Sequence, residues 1–190
     1  MIVLSVLGVV VIAAGVLVGA WFIHRGSSPC PIPTAQYSGT KGRYQAHGVS
    51  VLGPAKWKQL ADTNQLTPFQ SPDKVSRFYI GTADNGRTSI RSEETTVTNE
   101  VQHGPPEGAW DRVHILHHQL CRFLDAPAFE LEYTGYNPSS RNPDLKRHEI
   151  AWLWLRGQTV KQVAVNMPQY LWGSKADALF AQLVRTAKDT

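Results

Sequence analysis

Apolar and polar positions divide the chain into stretches of different character. From Ile2 to Ile23 no residue is charged and the only polar side chain is Ser5. At about 1.5 Å per residue, such a helix is long enough to cross a hydrocarbon core of about 30 Å. Trp21 and Phe22 stand where amphipathic aromatics settle at a membrane interface, and Arg25 follows them. Gly15 and Gly19 form a G-x-x-x-G pair, a spacing that allows close helix approach but is also common in membrane helices. From His24 to Gln45 three prolines and three glycines interrupt any periodicity, which reads as an extended linker. The expected organisation is an anchor over 1–23, a linker over 24–45 and an α+β domain over 46–190.

Within that domain His47–Leu52 is a strand closed by Gly53-Pro54, and Ala55–Ala61 is a short helical or turn segment carrying Trp57 and Leu60. Arg77–Thr82 is rich in β formers and precedes the turn signal Asp84-Asn85-Gly86. Thr88–Val101, rich in threonine and valine, is expected as a polar edge strand. Gly104-Pro105-Pro106 opens a helix expected from Glu107 to about Leu124, because Trp110, Val113, Leu116, Leu120 and Phe123 recur at helical spacing. Phe129, Leu131 and Tyr133 alternate with Glu130, Glu132 and Thr134, a half-buried strand with a solvated acidic face. Glu149–Leu155 is apolar on both faces and reads as central. It turns through Arg156–Thr159 into Val160–Val165 to complete a hairpin. Ser174–Lys188 is a closing helix with an apolar stripe of Ala176, Leu179, Phe180, Leu183, Val184 and Ala187, Ser174 as cap and Asp177 in its first turn. Hairpin-connected strands with single inserted helices give an α+β class: a mainly antiparallel sheet packed with helices.

The order of these elements resembles the PsbP-like superfamily, which includes the Ran-binding Mog-type proteins and many membrane-anchored bacterial domains. The resemblance rests on the strand entering Gly53-Pro54 and Trp57, the hairpin Ile150–Val165, the exit Asn166-Met167-Pro168 and the helix ending Leu183-Val184-Arg185-Thr186. It starts near Ala46 and is carried by the two ends of the domain, with Gln65–Gly104 unaligned. The resemblance implies a non-enzymatic accessory domain that scaffolds or stabilises a larger membrane assembly, mostly outside the cytoplasm.

Charge alters part of this picture. A net charge of +4, with scattered basic residues, gives no footprint for nucleic acid. Arg25, Lys41 and Arg43 follow the apolar run with no acid before Asp62, and the positive-inside rule then favours a single-pass protein with a cytoplasmic domain. A cleaved signal fits poorly, since no charged side chain precedes the run and the run is too long. Cys30 and Cys121 are compatible with either a disulfide or two free thiols.

Candidate chemistry is sparse. On a helix, His114, His118 and Cys121 share a face and present two imidazoles and a thiolate to zinc or copper, so a metal- or small-ligand-binding sensor is the alternative function. No G-x-S-x-G elbow, phosphate loop or dinucleotide fingerprint occurs. The long connection Gly135–Arg147 offers Tyr136, Arg141, Lys146 and Arg147 to a partner protein or anionic head groups. Trp152 and Trp154 share one sheet face and would mark an interface if left uncovered. The leading expectation is an accessory subunit without a cofactor, held in the bilayer by residues 2–23 and bound to another membrane protein or complex.

Overall fold

A computed structural model describes residues 28–63, 65–83, 89–103, 110–137 and 142–190. The apolar run with Trp21, Phe22 and Arg25 lies outside these residues, as does Arg141. Among the described residues no helix is long and apolar enough to cross a membrane.

Among the described residues ten strands and two α-helices follow one another: β1 (Lys41–Ala46), β2 (Val49–Pro54), β3 (Lys58–Gln59), β4 (Leu66–Gln70), β5 (Arg77–Ala83), α1 (Ile90–His103), β6 (Asp111–Phe123), β7 (Ala126–Tyr136), β8 (Lys146–Arg156), β9 (Thr159–Pro168), α2 (Ser174–Thr186) and β10 (Lys188–Asp189). Seven strands form one antiparallel sheet in the order β3-β4-β5-β9-β8-β7-β6, and β1-β2-β10 form a small second sheet. The fold is α+β. The expected hairpin is β8–β9, whose two-residue turn uses Gly157 at φ 62°, a conformation glycine adopts without steric cost.

Alternation along β8 decides how the layers pack. Ile150, Trp152 and Trp154 point to one face with Val163 and Val165, where Leu179, Phe180, Leu183 and Val184 of α2 cover them. Ala151 and Leu153 point the other way, joining Phe129, Leu131 and Tyr133 beneath Ile90, Val97 and Val101 of α1. Both tryptophans are fully buried, and Trp152 meets Phe123 and Phe180 edge to face. They therefore form core, not an exposed interface.

Three expectations change. Residues 90–103 are helix rather than edge strand. Ile90, Val97 and Val101 fall on one helical face, the Ser89 hydroxyl accepts from the Ser92 amide at 3.1 Å, and Thr95 and Thr96 donate back to the carbonyls four residues earlier. Residues 111–123, expected within a helix, are the long strand β6. Register shifts at Asp111/His114 and Ile115/His117 insert extra residues, so its apolar positions fall out of strict alternation and imitate a helical period. Leu116 sits at the second shift and is 47% exposed.

The third change concerns the stretch expected as linker, which is attached to the domain from residue 28. Ser28 and Cys30 exchange backbone hydrogen bonds with Arg122, Cys30 is disulfide-bonded to Cys121, and Arg185 donates to the carbonyls of Pro33 and Ala35. The Gly53-Pro54 corner is held by the Tyr44 hydroxyl, which donates to the Pro54 carbonyl and accepts from the Trp57 amide at 3.1 Å.

Candidate functional site

Among the described residues α1 packs over β6 and β7, and beside it a groove of about 1220 Å³ opens over the middle of the large sheet. Its floor carries a polar row where neighbouring positions are apolar. Arg77 of β5, Asn166 of β9, Glu149 of β8 and Tyr133 of β7 are cross-strand partners in one continuous register. Tyr133 donates its hydroxyl to Glu149 Oε1 at 3.0 Å, and Asn166 Nδ2 donates to Oε2 at 2.7 Å. Asn166 Oδ1 accepts from Arg147 Nε, and Arg147 Nη2 donates to the Val75 backbone carbonyl at 2.8 Å. Each member thus orients the next.

Electrostatics follow from this burial. Desolvation pushes the Glu149 carboxyl above its ordinary range, against the opposing pull of Asn166, Tyr133 and Arg147. Burial likewise raises Tyr133 well above the usual phenol value, and the adjacent Glu149 adds to it. Tyr79 is raised for the same two reasons. The Arg147 guanidinium is lowered by burial, yet an arginine starts so high that it stays charged. Four cations (Lys58, Lys74, Arg77 and Arg147) line the groove against two carboxylates, Asp73 and Glu149. Tyr170 stands at the mouth, 69% exposed.

The opposite face holds a second polar group beside the start of α2. His148 is 4% exposed, its Nε2 lies 2.7 Å from Glu132 Oε1, and its ring stacks on Trp172. Asp177, in the first turn of α2, is raised by burial and then by Glu132, with His148 pulling the other way. Glu130 is 5% exposed, accepts from Gln119 Nε2 at 2.9 Å and is raised by burial. The acidic face expected in solvent therefore lies largely at the edge of the α2-covered core. Ser174 is the first helical residue rather than the cap, and Gly173 precedes it.

The proposed ligand set of His114, His118 and Cys121 does not assemble. On strand β6, His114 pairs with Thr134 on the α2 face, while His118 pairs with Leu131 on the α1 face and contacts Glu94 at 3.1 Å. The Cys121 sulfur is committed to Cys30, so it offers no thiolate. Among the described residues no three His, Cys, Asp or Glu side chains gather closely enough to hold a metal. At the other candidate surface Tyr136 and Lys146 are cross-strand partners, and Arg112 lies over the Tyr136 ring at 3.8 Å. Lys146 is exposed, whereas Arg147 turns into the groove. Sequence reasoning did not find Arg77, Tyr133, Glu149 and Asn166 as a set. The available signal was a polar residue at the head or tail of an apolar run, Glu149 before IAWLWL and Asn166 after VAV.

No protein-family model matches the sequence, and no curated protein matches it significantly. Solved structures do match. The solution structure of cyanobacterial PsbP (CyanoP) from Synechocystis sp. PCC 6803 is 12% identical over 85% of this chain and 100% of that one, with a TM-score of 0.57. The Ran-binding protein Mog1p of Saccharomyces cerevisiae is 9% identical over 80% and 96%, with a TM-score of 0.53. The chain spans about half (49%) of a Bacteroides thetaiotaomicron VPI-5482 protein of known structure, which is 14% identical over 81% of this chain with a TM-score of 0.49. What is shared at such identities is architecture: this chain has the PsbP/Mog1-type fold.

Proposed function

We propose that this chain is a non-catalytic accessory domain, anchored in a membrane by residues 2–23, that binds and stabilises a partner membrane protein through the groove beside α1. The observation that supports this most is the internal bonding of Glu149. Both of its oxygens accept from donors of the fold, so the carboxyl is fixed in place and the groove offers a partner one preset shape.

The disulfide supports an extracytoplasmic domain, because such bonds persist in oxidising compartments. That consideration outweighs a charge bias resting on three basic residues. Cross-linking in native membranes, followed by purification in mild detergent, tests the assignment. A partner captured by wild type and lost in Tyr170→Ala supports it, and a monomer with no cross-linked species overturns it. The compartment is tested on intact cells with an impermeant reductant and an impermeant thiol label. Labelling only after the reductant supports the outward placement, and labelling only after lysis overturns it.

A further inference from the structure

The groove has a chemical preference that follows from how its charges are already used. Of its two carboxylates, Asp73 accepts from the Ser71 hydroxyl and the Val75 amide, and Glu149 accepts from Tyr133 and Asn166. Glu149 thus has both oxygens held, whereas Asp73 takes both of its bonds at Oδ1 and is exposed on the rim. The cations outnumber them, four against two. Lys58 and Lys74 are exposed on the rim, and neither takes part in an ion pair among the described residues. Arg147 is pinned by Asn166 and by the Val75 carbonyl, so its guanidinium is orientated before any ligand arrives. Arg77 stands in the same cross-strand row.

Dimensions narrow the occupant further. Lining residues run from Lys58 on β3 to Leu131 on β7, six neighbouring strands of one sheet. At about 4.8 Å between strands this is a span of about 24 Å, room for about seven extended residues. Tyr170 supplies an exposed ring at the mouth, the kind of rigid anchor that interfaces use.

Building on the proposed role of the groove, we infer that its occupant is an acidic, extended segment of the partner protein, with carboxylates set against Lys58, Lys74, Arg77 and Arg147. A basic segment would meet four cations against only two carboxylates.

The test uses the full chain in detergent micelles and a fluorescein-labelled octapeptide rich in Asp and Glu. The same peptide with Asn and Gln, and with Lys, serves for comparison. Binding of the acidic peptide, with little binding of the other two, is expected. The variant Lys58→Gln/Lys74→Gln touches only exposed rim residues, and it should weaken binding about four- to twenty-fivefold, at about two- to fivefold per surface charge. Raising the salt should weaken it further.

Equal binding of the Asn/Gln peptide overturns the inference, as does unchanged affinity in the rim variant. So does groove-dependent binding of anionic vesicles in place of the peptide. These outcomes are separable from failure of the proposed function. A partner whose cross-link depends on Tyr170 but not on the rim charges overturns only the acidic preference. A partner indifferent to both overturns the groove itself.

Discussion

The His148 imidazole lies against the Trp172 indole with ring centroids 3.6 Å apart and planes 9° from parallel. This stack joins the buried start of β8 to the segment that leads into α2. The histidine is thereby held between an aromatic face and the Glu132 carboxylate at 2.7 Å. Trp172→Ala removes both the apolar cover and the stacking, so a loss of about 2–3 kcal/mol is expected, below the range for a fully buried tryptophan because Trp172 is half-buried. Urea titration of the variant measures it. Trp172→Phe, which keeps a ring and part of the apolar cover, should recover about half of the loss, and no recovery would count against the stack.

Glu149 gives the fold a pH dependence of known sign. Its carboxyl is raised from the ordinary 4.5 by burial, so the native state favours the protonated form. The stability it contributes is fully present below about 4.5 and is lost as pH rises through the elevated native value. Glu149→Gln cannot ionise. Urea midpoints of wild type and variant across this window should therefore converge or cross in the variant's favour as pH rises. Glu130 is raised for the same reason, so some pH slope remains in the variant.

The Cys30–Cys121 bond closes a loop with a sequence separation of 91 between two nearly buried sulfurs. Cys121→Ser is expected to cost about 2–5 kcal/mol. Wild type treated with reductant should unfold at a midpoint close to that of the variant, and the variant should not respond to reductant. Thermal melts with and without reductant make the comparison.

Two large apolar residues should behave oppositely. Trp152, fully buried between Phe123 and Phe180, is expected to lose about 3–5 kcal/mol on replacement by alanine. Leu116, at the register shift of β6 and 47% exposed, should change stability by no more than about 0.5 kcal/mol on replacement by serine. Denaturation of the two variants under one condition separates core from rim.

The parts of this fold that were readable in the sequence are those with a clean period. Alternation at Phe129, Leu131 and Tyr133, the two-faced run Glu149–Leu155 and the stripe of the last helix each correspond to the element observed. The α1 helix was hidden because threonines that favour strands on propensity satisfy their hydroxyls within a helix, and its apolar residues are only Ile90, Val97 and Val101. Strand β6 was hidden because its bulges break the two-residue period on which strand recognition depends. The candidate site suffered most from this error. His114, His118 and Cys121 share a face only if the segment is helical, whereas Glu149, Asn166, Arg77 and Tyr133 meet through pairing across four strands. Sequence spacing along one element carries no trace of such a row.

Because the Cys30–Cys121 bond encloses β1 to β5, α1 and most of β6 in a covalent ring, a protease that cuts once within residues 31–120 does not divide the molecule. The two fragments stay joined as a single species until a reductant arrives. A domain tethered as proposed would survive such a nick still attached to its membrane, with α2 and the central hairpin on the same leash as before.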